Sequence, residues 1–114
     1  MTLDDDVKQI SRYFGIDPAL IQAVVNAEGN IVKAVQCSIP SVTTREEALR
    51  VTCRSAVHAM SDYVKGLGRE PFVQFWGARW APEGAKNDPT KLNANWTRNV
   101  YRLWRDGTSP THAA

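Results

Sequence analysis

Residues 20–38 read LIQAVVNAEGNIVKAVQCS, an apolar helical run with one carboxylate set into its greasy side. At about 100° per residue with Ile21 at zero, Val24 falls near −60°, Val25 near +40° and Glu28 near −20°. If the helix survives Gly29, Val32 at about +20° and Val35 at about −40° flank the same angle. Glu28 therefore belongs to the apolar stripe wherever the helix ends. An acid aimed at the chain's own core is the feature from which both the fold and the function are read.

Length and composition set the frame around that helix. A chain of 114 residues, 43% hydrophobic and with four tryptophans, has material for one compact core and not for two. One domain is expected over residues 1–108, with a flexible tail at 109–114. The net charge is +2 and the basic residues are spread along the chain, which argues against a nucleic-acid footprint, while a weakly cationic surface suits an anionic partner such as cell wall. The start, MTLDDDVKQ, has neither a basic nor an apolar signal region, and no run approaches the ~18 apolar residues of a membrane span. A soluble protein, made in the cytoplasm without a Sec-type signal and with no membrane insertion, is the expectation. Cys37 and Cys53 are too few, and too far from any histidine pair, for a zinc site. They form a disulfide in an oxidising space, or stay as two buried thiols.

The whole chain reads as helical, with about five helices and no convincing strand. Thr2 caps a first helix whose Asp4, Asp5 and Asp6 complement the macrodipole, and Gly15 stops it. Asp17-Pro18 places a cap before proline at the first helical position and opens the helix that carries Glu28. After a loop from about Gln36 to Val42, Thr44-Arg45-Glu46-Glu47 forms a capping box. Leu49, Cys53, Ala56, Val57, Met60, Val64 and Leu67 then keep a helical spacing until Gly66 and Gly68. Pro71 opens a shorter helix, Phe72 to about Trp80. Asn93 or Asn95 caps the last, with Trp96, Val100, Leu103 and Trp104 as its stripe.

Two constellations carry chemistry. A carboxylate on a buried stripe loses hydration, which raises its pKa and prepares it to act as a general acid near neutral pH. The blander reading is that Glu28 ends its helix, turns its head to water or accepts backbone hydrogen bonds from the next loop. Gly29-Asn30 puts the carboxylate at a helix end, where it can face a cleft, and Ser38 brings a hydroxyl back across the loop. The second constellation is RWAPEGAKNDPTKLNANW, residues 79–96, a long turn-rich connection. Trp76 and Trp80 offer flat apolar faces for sugar rings, and Asn87 and Asn93 offer planar amides for hydroxyl and acetamido groups. The competing reading makes the tryptophans core and the asparagines turn and cap. His58 lies opposite the central helix's apolar face and His112 in the tail, so neither supports a triad or a metal cluster, and no metal or cofactor is expected. An ordinary glycosidase needs a second carboxylate about 5–9.5 Å from the first. Glu47, Asp62, Glu83 and Asp88 are the candidates, although Glu47 is better explained as a cap and Asp62 as a surface charge.

GIDPALIQAVVNAEGN, with its glutamate ending the second helix, followed by AVQCS, resembles the lysozyme-like superfamily, in particular lytic transglycosylases and phage virion muralytic domains. FWGARWAPEGAKNDPTKLNANWTRNV looks like the closing segment of phage-encoded members, so the resemblance spans most of residues 10–103. IPSVTTREE stands where Gly-Leu-Met-Gln usually follows the serine. The resemblance implies a small lysozyme-like helical domain with Glu28 as the sole catalytic acid/base. Gln36, Ser38, Trp76, Trp80, Asn87 and Asn93 are then the substrate-binding candidates. The implied substrate is the glycan strand of peptidoglycan, cut by internal attack of the muramoyl 6-hydroxyl, or by water in a muramidase, with no cofactor. The implied setting is the cell wall, reached as part of a larger virion or secretion assembly. From a different class, a non-catalytic helical module that binds glycan or a partner is the alternative.

Overall fold

The computed structural model describes residues 2–68, 71–80 and 94–107. Among these the chain forms six α-helices and no strand: α1 Leu3–Phe14, α2 Pro18–Glu28, α3 Ile31–Gln36, α4 Arg45–Asp62, α5 Phe72–Trp80 and α6 Ala94–Gly107. The all-α expectation holds, with one more helix than anticipated. Asn87, Asn93, Glu83, Asp88 and the 109–114 tail lie outside the described residues.

Local signals set most boundaries. Thr2 accepts from the Asp5 amide at 3.1 Å while its own amide donates to Asp5 Oδ2 at 3.3 Å, a reciprocal box that opens α1. Those same contacts from Thr2 hold the Asp5 carboxyl below its ordinary value. Asp17 caps α2 through the Ala19 amide at 2.9 Å, with Pro18 at the first helical position. Thr44 caps α4 through the Glu47 amide at 3.2 Å. Past Asp62 the helix loosens into a π-helical turn, Tyr63–Leu67, so the central helix is shorter than its apolar spacing suggests.

The run at residues 20–38 is two helices, not one. Gly29 takes φ 77°, a left-handed value that an L side chain resists, and its amide closes on Val25 O at 3.0 Å. Asn30 then restarts the backbone as an N-cap, its side chain accepting from the Lys33 amide at 3.1 Å. Glu28 is thereby the last residue of α2, with the chain turning away directly after it.

One core joins the helices, centred on Ile21, Val24, Leu49, Cys53, Ala56, Trp76 and Val100. α1 lies along α4 in the same sense: Asp6 accepts Arg45 Nε at 2.9 Å near their starts, and Ser11 meets Cys53 at 3.9 Å further on. Asp6 therefore adds an ion pair to its dipole role. α6 runs antiparallel to α2. Trp104 near its end donates to Asp17 at 3.0 Å, while Trp96 near its start packs 6.4 Å from Trp80, which in turn reaches Glu28 at the end of α2. Both cysteines are free, Cys53 buried and Cys37 exposed, and burial pushes the Cys53 thiol up. No helix among the described residues is long and apolar enough to cross a membrane.

Candidate functional site

The last turn of α2 opens onto a cleft of about 360 Å³ whose floor and walls come from α2, α3 with its following loop, α4 and α5. Glu28, Ala34, Val35, Ser38, Val51, Ser55 and Trp80 line it. That volume sits at the low end of the ~300–1,000 Å³ of typical ligand pockets, so a polymer would place only part of itself inside.

Glu28 is half-buried rather than sunk in the core, because the apolar stripe on which it lies runs out at the helix end and meets the cleft instead of another helix. Trp80, the last residue of α5, donates its indole Nε1–H to Glu28 Oε1 at 3.3 Å across a separation of 52 residues. An indole nitrogen only donates, so Glu28 Oε1 is the acceptor, and the contact orients the carboxyl group of a residue that lines the cleft. The Trp80 ring forms a wall beside the acid.

Ser38 lines the same cleft and is exposed, held by its amide on Val35 O at 3.0 Å. Gln36 does not reach it. Its side-chain amide donates to Val42 O at 2.7 Å, which braces the 37–42 loop, so its substrate-binding assignment is corrected to a structural one. Trp76 is also corrected: at 0% exposure it is core, stacked 6.0 Å from Phe72 and edge-on to Trp80 and Trp96 at 5.8 and 5.6 Å. The buried tryptophan and the one that faces the cleft stand four positions apart on the same helix.

Two of the proposed second carboxylates are engaged elsewhere. Glu47 Oε1 accepts from the hydroxyl of the α4 N-cap, Thr44, at 3.0 Å, a side-chain contact in place of the reciprocal backbone bond of the expected capping box. Asp62 accepts Arg79 Nη1 at 2.7 Å, and that hydrogen bond holds its carboxyl below the usual aspartate range. Among the described residues Glu28 is the only acid lining the cleft. His58 is exposed as expected. No described group of three His, Cys, Asp or Glu side chains is arranged to hold a metal ion.

The cleft contains residues that the sequence did not single out. Arg79 sits at its edge, spread over the Phe75 ring at 4.5 Å. Val51 and Ser55 face it from α4, one turn apart and away from that helix's core stripe. An apolar residue off the stripe, four positions before a serine, was the available signal. Comparison with protein-family models, with curated proteins and with solved structures gives no match.

Proposed function

We propose that this chain cleaves the glycan strand of peptidoglycan as a lytic transglycosylase, at the β-1,4 bond between N-acetylmuramic acid and N-acetylglucosamine. One observation carries the reading: a helix-terminal glutamate, oriented by an indole N–H, is the only carboxylate lining the cleft among the described residues. The resemblance of the AEGN and AVQCS segments to lysozyme-like enzymes supports it, and so does the pairing of an aromatic wall with the hydroxyl of Ser38.

In this mechanism Glu28, protonated, gives its proton to the glycosidic oxygen as the C1–oxygen bond breaks, and the acetamido oxygen of the same muramoyl ring closes on C1. Glu28, now a carboxylate, takes the proton of the 6-hydroxyl, whose oxygen attacks C1 and displaces the acetamido oxygen. The product is a 1,6-anhydro end, and Glu28 is protonated again. No cofactor and no second protein carboxylate enters. The enzyme would meet the wall from a virion, from a secretion assembly or after lysis.

Turbidity of purified sacculi tests the reading, with Glu28→Gln as the control. The wild-type chain clears the suspension. The variant loses activity by at least the ~10²–10⁴-fold that general acid catalysis supplies, while its melting temperature stays close to wild type, because Gln keeps an oxygen for the Trp80 donor. Intact sacculi at high wild-type concentration would replace this reading with a non-catalytic glycan- or partner-binding module, and a Glu28→Gln chain that lyses normally would move the acid elsewhere.

A further inference from the structure

The indole of Trp76 donates to Ser55 Oγ at 2.9 Å. This contact has a directional consequence, since an indole N–H has no acceptor lone pair: Ser55 must be the acceptor, and its own hydroxyl hydrogen must point elsewhere. A helical serine usually returns that hydrogen to the carbonyl one turn back. Thr52 does so, bonding Ala48 O at 2.8 Å, but Ser55 makes no other hydrogen bond among the described residues. Ser55 lines the cleft. Buried Trp76 thus turns Ser55 into a donor directed at whatever the cleft holds.

The surroundings narrow the ligand group. Val51 lies one turn before Ser55 on the same face, about 5–6 Å away between Cβ atoms, and Ala34 and Val35 line the facing wall. A donor hydroxyl bordered by small apolar side chains fits a group with a carbonyl oxygen on one side and a methyl on the other. We infer that Ser55, oriented by Trp76, recognises an acetamido group of the bound glycan, its hydroxyl on the carbonyl and Val51 with Ala34 and Val35 around the methyl. This inference rests on the glycan reading above. The acetamido concerned belongs to a sugar other than the one being cut, whose carbonyl oxygen must stay free to attack C1. Ser55 is a specificity-determining residue and not an acid or base.

The experiment is a binding titration by heteronuclear NMR on the full chain carrying Glu28→Gln, so that no bond is cleaved. The probes are N-acetylglucosamine oligomers and their deacetylated counterparts. Three further variants are added: Ser55→Ala, Trp76→Phe, and both together. Ser55→Ala alone leaves the Trp76 donor orphaned in the core, whereas the double variant removes both partners and restores much of the lost stability. The parent is expected to prefer the acetylated oligomer, and the single Ser55→Ala and the double variant to bind it about 3- to 10-fold more weakly, with no change for the deacetylated one. Trp76→Phe, which keeps the hydroxyl but removes the indole that orients it, is expected to lose part of the preference, less than Ser55→Ala does. Recovery of parent affinity in the double variant would mean that Ser55 only anchors Trp76, and would overturn the inference. So would a parent that binds both oligomers alike. Sacculus lysis separates the two levels: a chain that lyses but ignores the acetamido group loses this inference alone, and a chain that neither lyses nor binds loses the glycan reading with it.

Discussion

Trp80 is the residue on which the candidate site turns, because it does two things that Trp76, on the same helix, does not. Its ring borders the cleft, and its Nε1–H reaches Glu28 Oε1 at 3.3 Å. Trp80→Phe keeps a flat face and removes the donor, so the carboxylate loses its fixed orientation while the wall remains. A typical hydrogen bond contributes roughly 0.5–1.5 kcal/mol net, and this one fixes the group proposed to act in both half-reactions. Sacculus lysis is expected to fall about tenfold, with binding of N-acetylglucosamine oligomers little changed. Trp80→Ala removes wall and donor together and should lose binding as well. If the two variants behave alike in binding, the ring contributes nothing to glycan recognition. Periodicity could not divide the tryptophans. Trp76 and Trp80 are i and i+4 on α5 and share a face, and only the position of α5 against α2 and α4 buries the first and bares the second.

The elements are held by contacts between helices that a single-helix reading misses, and Gly77 is the clearest. It sits in the middle of α5, where glycine costs helix stability relative to alanine. A Cβ there would collide with the Thr97 hydroxyl and come within 3.1 Å of the Trp96 ring, so glycine is what lets α5 and α6 approach. Gly77→Ala is expected to destabilise by about 1–3 kcal/mol, as overpacking does, despite the better helix propensity. An unchanged or raised denaturation midpoint would show that the two helices can part at no cost. The join between α4 and α5 makes a prediction in pH. Asp62 has its folded pKa lowered by the Arg79 hydrogen bond, so its contribution is present above the ordinary aspartate value of about 3.9 and is lost as pH falls through the folded value. Asp62→Asn should therefore melt slightly lower than wild type at pH 7, and the gap should close as pH falls through the folded value. A gap that persists in acid would assign the effect to something other than this pair. Legibility followed the range of each signal. Thr2, Asp17 and Thr44 act within three residues of themselves, and the helices they open stand where the sequence put them. α3 was missed because its six residues carry little periodicity of their own and are specified by Gly29 and Asn30, which read equally well as the end of something longer. Ser55 was missed because its role is set by Trp76, 21 residues away.

At the scale of the whole molecule, the product expected of the proposed reaction depends on which acids the fold brings to the cleft. The turn at Gly29 leaves Glu28 at the rim, α4 keeps Glu47 in its own cap, and the α4–α5 join occupies Asp62 with Arg79. A hydrolytic route by inversion assigns a second carboxylate to activate water on the opposite sugar face, about 6.5–9.5 Å from the acid. Among the described residues the cleft has no such group. Internal attack does not need one. The 6-hydroxyl is tethered to the ring it attacks, and the effective molarity of a well-placed intramolecular nucleophile, up to about 10⁵–10⁸ M, replaces positioning that the protein would otherwise supply. On the proposed reading Glu28 serves both half-reactions, as acid and afterwards as base, from one place in the cleft. Mass spectrometry of digested sacculi is accordingly expected to show muropeptides ending in 1,6-anhydromuramic acid, lighter by one water than hydrolysed ends. Two acids of the sequence, Glu83 and Asp88, fall in the connection between α5 and α6, outside the described residues. Reducing ends in the digest, together with loss of lysis in Glu83→Gln or Asp88→Asn, would replace the transglycosylase reading with a muramidase that takes its second carboxylate from that connection.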